Sequence, residues 1–140
     1  MATQAAAKPR ARKVVPHIPG ISDGLKAAKV PISPVVKANG LLFVSGMPPM
    51  DPRTGKILSG DIQKQTRQSL EAIKYVLKAA GSSLDRVVSV RVYCAKPAFF
   101  NQINEVYKKY FPKNPPARTF VPVASWPMEF DVEIECIALE

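Results

Sequence analysis

The stretch Phe130-Asp131-Val132-Glu133-Ile134-Glu135-Cys136-Ile137-Ala138-Leu139 alternates between apolar and acidic side chains as far as Cys136. Phe130, Val132, Ile134, Cys136 and Ala138 share one face, while Asp131, Glu133 and Glu135 share the other. A strand places successive side chains on opposite sides, so this pattern predicts a strand with one packed and one polar face. Upstream, Val88, Val90, Val92 and Cys94 alternate with Val87, Ser89, Arg91 and Tyr93 in the same way, which predicts a second such strand.

Other elements follow outward from these two. Val35-Val36-Lys37, Asn39-Gly40 and Leu41 to Ser45 read as two strands joined by a tight hairpin, because Asn-Gly tolerates the positive φ angles of such turns. Met47 to Gly60 holds Pro48, Pro49, Pro52, Gly55 and Gly60 and reads as a loop with its turn at Asp51 to Gly55. Asp61 is placed to cap a helix in which Ile62, Thr66, Leu70, Ile73, Leu77 and Ala80 recur at spacings of three and four, ended by Gly81. Phe99, Ile103, Val106 and Tyr110 form a second helical stripe between Pro97 and Pro112. Ala117 to Val123 is expected to be a strand. The order strand, strand, helix, strand, helix, strand, strand predicts an α+β domain, one mixed sheet with two helices on one face. The other face, carrying Arg91, Tyr93, Glu133 and Glu135 beside apolar Val87, Ile137 and Leu139, is half apolar, as an oligomer interface is.

At 140 residues the chain is the size of a single domain, and its 46% hydrophobic and 22% charged content is that of a globular protein rather than a disordered one. Its longest apolar run stops at Ser45, far short of the ~20 residues of a membrane span, so no membrane partner is expected. Two cysteines without a Cys-x-x-Cys pair, and one histidine, leave no set of zinc or haem ligands, so no metal is expected. The compartment is expected to be reducing. Of the net charge of +9, residues 1–29 carry +5, with six basic residues against Asp23 alone. We therefore divide the chain into a basic, flexible N-terminal extension, 1–29, and a domain, 30–140. The extension lacks the apolar region of a secretory signal and suits a solubilising tail, a transit peptide or an arm for nucleic acid.

Arg118 sits among apolar residues at the start of a strand. Its planar fork of donors matches a carboxylate. Pattern alone allows it an internal ion pair with Glu133 or Glu135, or an external anion. Those two glutamates share a face, about 7 Å apart at a rise of ~3.3 Å per residue, so one can pair while the other orients a water. Cys94 and Cys136 fall on packed faces, where burial raises a thiol's pKa, and are expected to be inert. Ser45-Gly46 ends an apolar strand, where bare backbone admits a close ligand.

Taken together, Leu41-Leu42-Phe43-Val44-Ser45-Gly46, Asp51-Pro52-Arg53-Thr54-Gly55, Gln68-Ser69-Leu70, Ala79-Ala80-Gly81-Ser82-Ser83-Leu84, Val90-Arg91-Val92-Tyr93, Pro116-Ala117-Arg118-Thr119 and Val132-Glu133-Ile134-Glu135-Cys136-Ile137-Ala138 resemble the Rid family, the YjgF-type reactive intermediate deaminases. The resemblance runs from about Ile32 to Leu139. It implies a chorismate-mutase-like fold and a homotrimer with three clefts between subunits. It further implies cytoplasmic, cofactor-independent hydrolysis of imine and enamine acids such as 2-aminoacrylate to 2-keto acids and ammonia. By position, Arg118 would grip the substrate carboxylate and Glu133 hold the attacking water. Backbone groups of Gly46 and Phe120 would touch the ligand, and Ser45 and Asn104 would line the cleft. Phe120 replaces the family's usual cysteine, Met47 its glutamine, and Val35 or Val36 its tyrosine. All three changes point to a more apolar pocket, and hence to a larger, more apolar enamine as the alternative substrate. A role as an RNA-binding protein or ribonuclease, also assigned in this family, is compatible with the charge.

Overall fold

The computed structural model describes residues 11–140. β1 (Val35–Ala38) and β2 (Leu41–Met47) form the expected hairpin, with Ala38 opposite Leu41. Asn39 and Gly40 both take positive φ, 51° and 75°, the geometry that lets a two-residue turn follow the twist of its strands. β5 (Val132–Leu139) lies at the centre, antiparallel to β2 on one side and to β3 (Val87–Cys94) on the other, while β3 pairs in parallel with β4 (Ala117–Pro122). The strand order is therefore β1-β2-β5-β3-β4. Parallel neighbours require a crossover, and α3 (Phe100–Tyr110) supplies it between β3 and β4. α2 (Ile62–Ala79) crosses from β2 to β3, with β5 inserted between those strands.

α2 begins where expected, because a side-chain oxygen of Asp61 accepts the Lys64 N–H at 2.8 Å and satisfies an otherwise unpaired amide of the first turn. Its stripe of Ile62, Thr66, Leu70, Ile73 and Leu77 is buried against Leu42, Val44, Val90, Val92, Ile134 and Cys136 of the sheet. Ile103, Val106 and Tyr107 of α3 close the same layer. The five apolar residues predicted for the packed face of the last strand are all buried. That strand starts at Val132 rather than Phe130, because the Asp131 N–H is given to the Gln65 side chain at 2.8 Å instead of to a neighbouring strand.

Two expectations change. First, Val87 is buried and Val88 is 42% exposed, the reverse of the reading from alternation. The register slips between Val87 and Ser89, and a bulge exchanges the faces on its two sides. Second, a third helix, α1 (Ile21–Ala27), lies inside the segment read as an extension. Val14 makes two backbone hydrogen bonds with Lys37 at the outer edge of β1, the Tyr75 hydroxyl donates to Pro19 O at 2.9 Å, and Ile18 is fully buried in the core. From Val14 onward this segment contributes to the domain, ahead of the expected boundary at Val30; residues 1–10 lie outside the described residues. No helix among the described residues is long and apolar enough to cross a membrane.

Candidate active site

In the parallel ladder Arg118 stands opposite Val90 and Phe120 opposite Val92, so both side chains rise on the helix-covered face at the β4 edge. There the Arg118 guanidinium lies over the Tyr107 ring at 4.6 Å from its centre and 5.7 Å from that of Phe100. Phe100 in turn meets Phe120 edge to face, with ring centres 5.2 Å apart and planes at 87°. Phe100, Asn104 and Tyr107 are separated by four and three residues, so they share one face of α3, with Asn104 between the two rings. The ion pair of Arg118 with Glu133 or Glu135 is not formed, and no acidic side chain among the described residues lies within salt-bridge distance of Arg118. A flat guanidinium held over rings keeps its N–H groups directed outward from its edge, where a planar anion meets them.

Glu133 stands opposite Tyr93 on the other, open face of the sheet. There Glu135 is held by Arg91 at 2.7 Å, which leaves Glu133 as the unpaired carboxylate. β2 bulges beside it: Val44 pairs with Cys136 and Met47 with Ile134, so Ser45 and Gly46 together face one residue of β5. A Cβ built on Gly46 would collide with the Glu133 carboxylate, so the missing side chain is what gives that carboxylate its place. Ser45 donates its hydroxyl to Ser33 O at 2.7 Å and ties the segment before β1 to the bulge. Burial, and then the negative charge of Glu135, hold the Glu133 carboxyl above the usual glutamate range.

One chain thus brings Arg118, Phe120 and Asn104 together on one face and Ser45, Gly46 and Glu133 on the other. It does not bring the two groups to each other. Of the positions read as making the pocket apolar, Val35 and Met47 are 0% and 2% exposed and belong to the core, Met47 because the bulge turns it inward. Val36, the other candidate in β1, is half-buried opposite Phe43, and Phe120 stands beside Arg118. Cys94 and Cys136 are buried, and burial pushes the Cys136 thiol up to about 12, in keeping with inert packing. Sequence reasoning overlooked Tyr107 and Phe100, since the stripe of Phe99, Ile103, Val106 and Tyr110 absorbed the apolar signal. The four-and-three spacing of Phe100, Asn104 and Tyr107 was the available clue. The Tyr107 hydroxyl is buried with no hydrogen-bond partner among the described residues, and burial raises its phenol to about 12 against the opposing effect of the Arg118 charge.

The family model described as Endoribonuclease L-PSP matches residues 25–140. The chain belongs to this family, the Rid or YjgF/RutC proteins. Among curated relatives, Reactive Intermediate Deaminase A, chloroplastic, of Arabidopsis thaliana is 43% identical over 112 residues, covering 80% of this chain and 60% of that one. The 2-iminobutanoate/2-iminopropanoate deaminase of Homo sapiens is 37% identical over 110 residues, covering 79% and 80%. Among solved structures, E. coli TdcF with bound serine superposes with a TM-score of 0.72 at 37% identity, covering 79% of this chain and 88% of that one. The mixed five-stranded sheet with its helices is thus a Rid-family fold, and deaminase is the activity in the names of the Arabidopsis and human relatives.

Proposed function

We propose that the protein hydrolyses 2-imino and enamine acids of the 2-aminoacrylate type to 2-keto acids and ammonia without a cofactor, at clefts between the subunits of a homotrimer. The observation that carries this reading is an arginine with no acidic partner among the described residues, braced on two aromatic rings at a sheet edge. Arginine is seldom enclosed unless paired, so its partner is expected from outside, and a carboxylate fits the fork. The names of the relatives support an imine substrate, and the serine in TdcF supports a small ligand bearing an α-carboxylate.

The same geometry supports the proposed trimer. Arg118 and Glu133 project from opposite faces of one sheet, so a site using both needs the β4 edge of one copy against the open face of another. Repeated head to tail, that contact closes into a ring. The open face suits it: Phe43 and Leu139 are 42% and 43% exposed beside the half-buried Ile137. In each cleft Arg118 grips the carboxylate, the backbone of Gly46 and Phe120 touches the ligand, and Ser45 and Asn104 line the walls.

Glu133 holds a water against the imine carbon. The water oxygen bonds to that carbon, the C=N electron pair moves to nitrogen, and the water proton passes through Glu133 to the same nitrogen. In the resulting amino alcohol the hydroxyl proton passes, again by way of Glu133, to nitrogen while the C=O bond forms and the C–N electron pair leaves with nitrogen, releasing ammonia and the keto acid; an enamine first takes a proton on its terminal carbon to become the imine. Each hydrogen bond to a charged group contributes about 1.5 to 3 kcal/mol, and a positioned acid–base group typically ~10²- to 10⁴-fold. Those magnitudes suffice for a substrate that is already electrophilic. The test is release of pyruvate and ammonia from 2-aminoacrylate made in place by a lyase. Arg118→Lys should be inactive because an ammonium cannot make the two-pronged grip. Full activity in Arg118→Ala would end the proposal.

A further inference from the structure

We infer that the Phe100–Phe120 pair beside Arg118 is a side-chain subsite that selects 2-imino acids with an aromatic or branched apolar substituent over those with a methyl or methylene group. The inference rests on the hydrolase reading and names the substrate class of that same site. Phe100 is 41% exposed, and Phe120, packed against the edge of the core, is only half-buried, so both rings keep surface outside the core. They are locked against each other edge to face, an arrangement that leaves ring surface open to a further apolar group.

Their position relative to the anion site sets the ligand. Arg118 and Phe120 project from the same strand face two residues apart, and the Arg118 guanidinium lies 5.7 Å from the centre of the Phe100 ring. An α-imino acid anchored by its carboxylate on Arg118 extends its C3 substituent over a comparable distance. A phenyl or isobutyl group reaches the rings; a methyl or methylene group falls short and leaves them wet. The open ring surface and the unpaired fork thus describe one ligand with a carboxylate at one end and an apolar group at the other. Each additional methylene accommodated in such a subsite is worth roughly 10-fold or more in discrimination, so a phenyl-bearing imine should be favoured over the methyl one by at least ~10-fold in kcat/KM.

The experiment compares the imines formed in place from phenylalanine and from alanine by an amino-acid oxidase, in the wild-type protein and in Phe120→Ala and Phe100→Ala. Calorimetric binding of phenylpyruvate and pyruvate to the same three proteins runs in parallel. The expected result is a preference of at least ~10-fold for the benzyl imine that falls about 10-fold in either variant, with the binding ratio moving in step. Phe120→Leu, which keeps an apolar side chain and protects against a folding failure, should give an intermediate ratio. A wild-type preference for the methyl imine, or a ratio that neither variant changes, overturns the inference while leaving the hydrolase reading in place. Hydrolysis absent from the wild type, with phenylpyruvate still favoured and that preference lost in Phe120→Ala, removes the hydrolase reading and supports the subsite. If neither imine is hydrolysed and neither keto acid binds, both are overturned.

Discussion

Gly46→Ala tests the water-holding role of Glu133 with the addition of a single methyl group. Gly46 does not have positive φ, so alanine imposes no backbone strain there. The new Cβ would overlap the Glu133 carboxylate oxygen and lie 2.7 Å from its Cδ and 3.0 Å from its Cγ. The obstruction is the far end of a flexible side chain, so the carboxylate is displaced, by about 1 Å or more, while the fold persists. A misplacement of ~1 Å at a reacting group costs on the order of 10²-fold, equivalent to about 2.7 kcal/mol of barrier. The loss should fall on kcat, with KM nearly unchanged, because the Arg118 that grips the carboxylate in that cleft comes from the neighbouring copy and is not displaced. Steady-state imine hydrolysis reads both constants, and thermal unfolding confirms the fold. In a Glu133→Ala background the same change should cost almost nothing, since the group it displaces is gone. A folded Gly46→Ala protein with wild-type kcat, or additive losses in the double variant, would refute the reasoning.

Two further outcomes follow from the geometry. Glu133 is held above the usual glutamate range first by burial and second by Glu135. The carboxylate must be ionised to take a proton from water, so kcat should rise with pH through that raised value, and Glu135→Gln should move the acid limb to lower pH; an upward shift, or none, counts against the assignment. Ile18 is fully buried, so Ile18→Ala should cost about 2 to 5 kcal/mol of stability by denaturant unfolding, whereas an unchanged midpoint would mean that the segment from Val14 is a dispensable tail.

The elements that were legible in sequence are those with a local cause. The alternation of Phe130 to Leu139, the Asn39-Gly40 turn and the Asp61 cap each depend on neighbouring residues, and each appears as read. What escaped depends on distant partners. Val87 and Val88 exchange faces because β5 imposes a register slip, and no pattern within β3 reports it. α1 is seven residues long and sits among basic residues, so charge masked the burial of Ile18 and Ile21. Met47 was assigned to the pocket because the bulge that turns it inward arises from pairing with β5. The face of Arg118 was likewise hidden. β4 is six residues long and half-exposed, so its own alternation is uninformative, and only the ladder with β3 shows that the arginine and the glutamate look away from each other.

That separation is the centre of the account, and mixing subunits tests it most directly. Arg118→Ala and Glu133→Ala proteins should each be inactive alone. Unfolded together and refolded at equal amounts, they should recover about a quarter of wild-type activity, because in a randomly assembled ring that fraction of clefts pairs an intact arginine from one copy with an intact glutamate from the next. No recovery, from a mixture shown to contain both variants in one assembly, would contradict a site shared between chains.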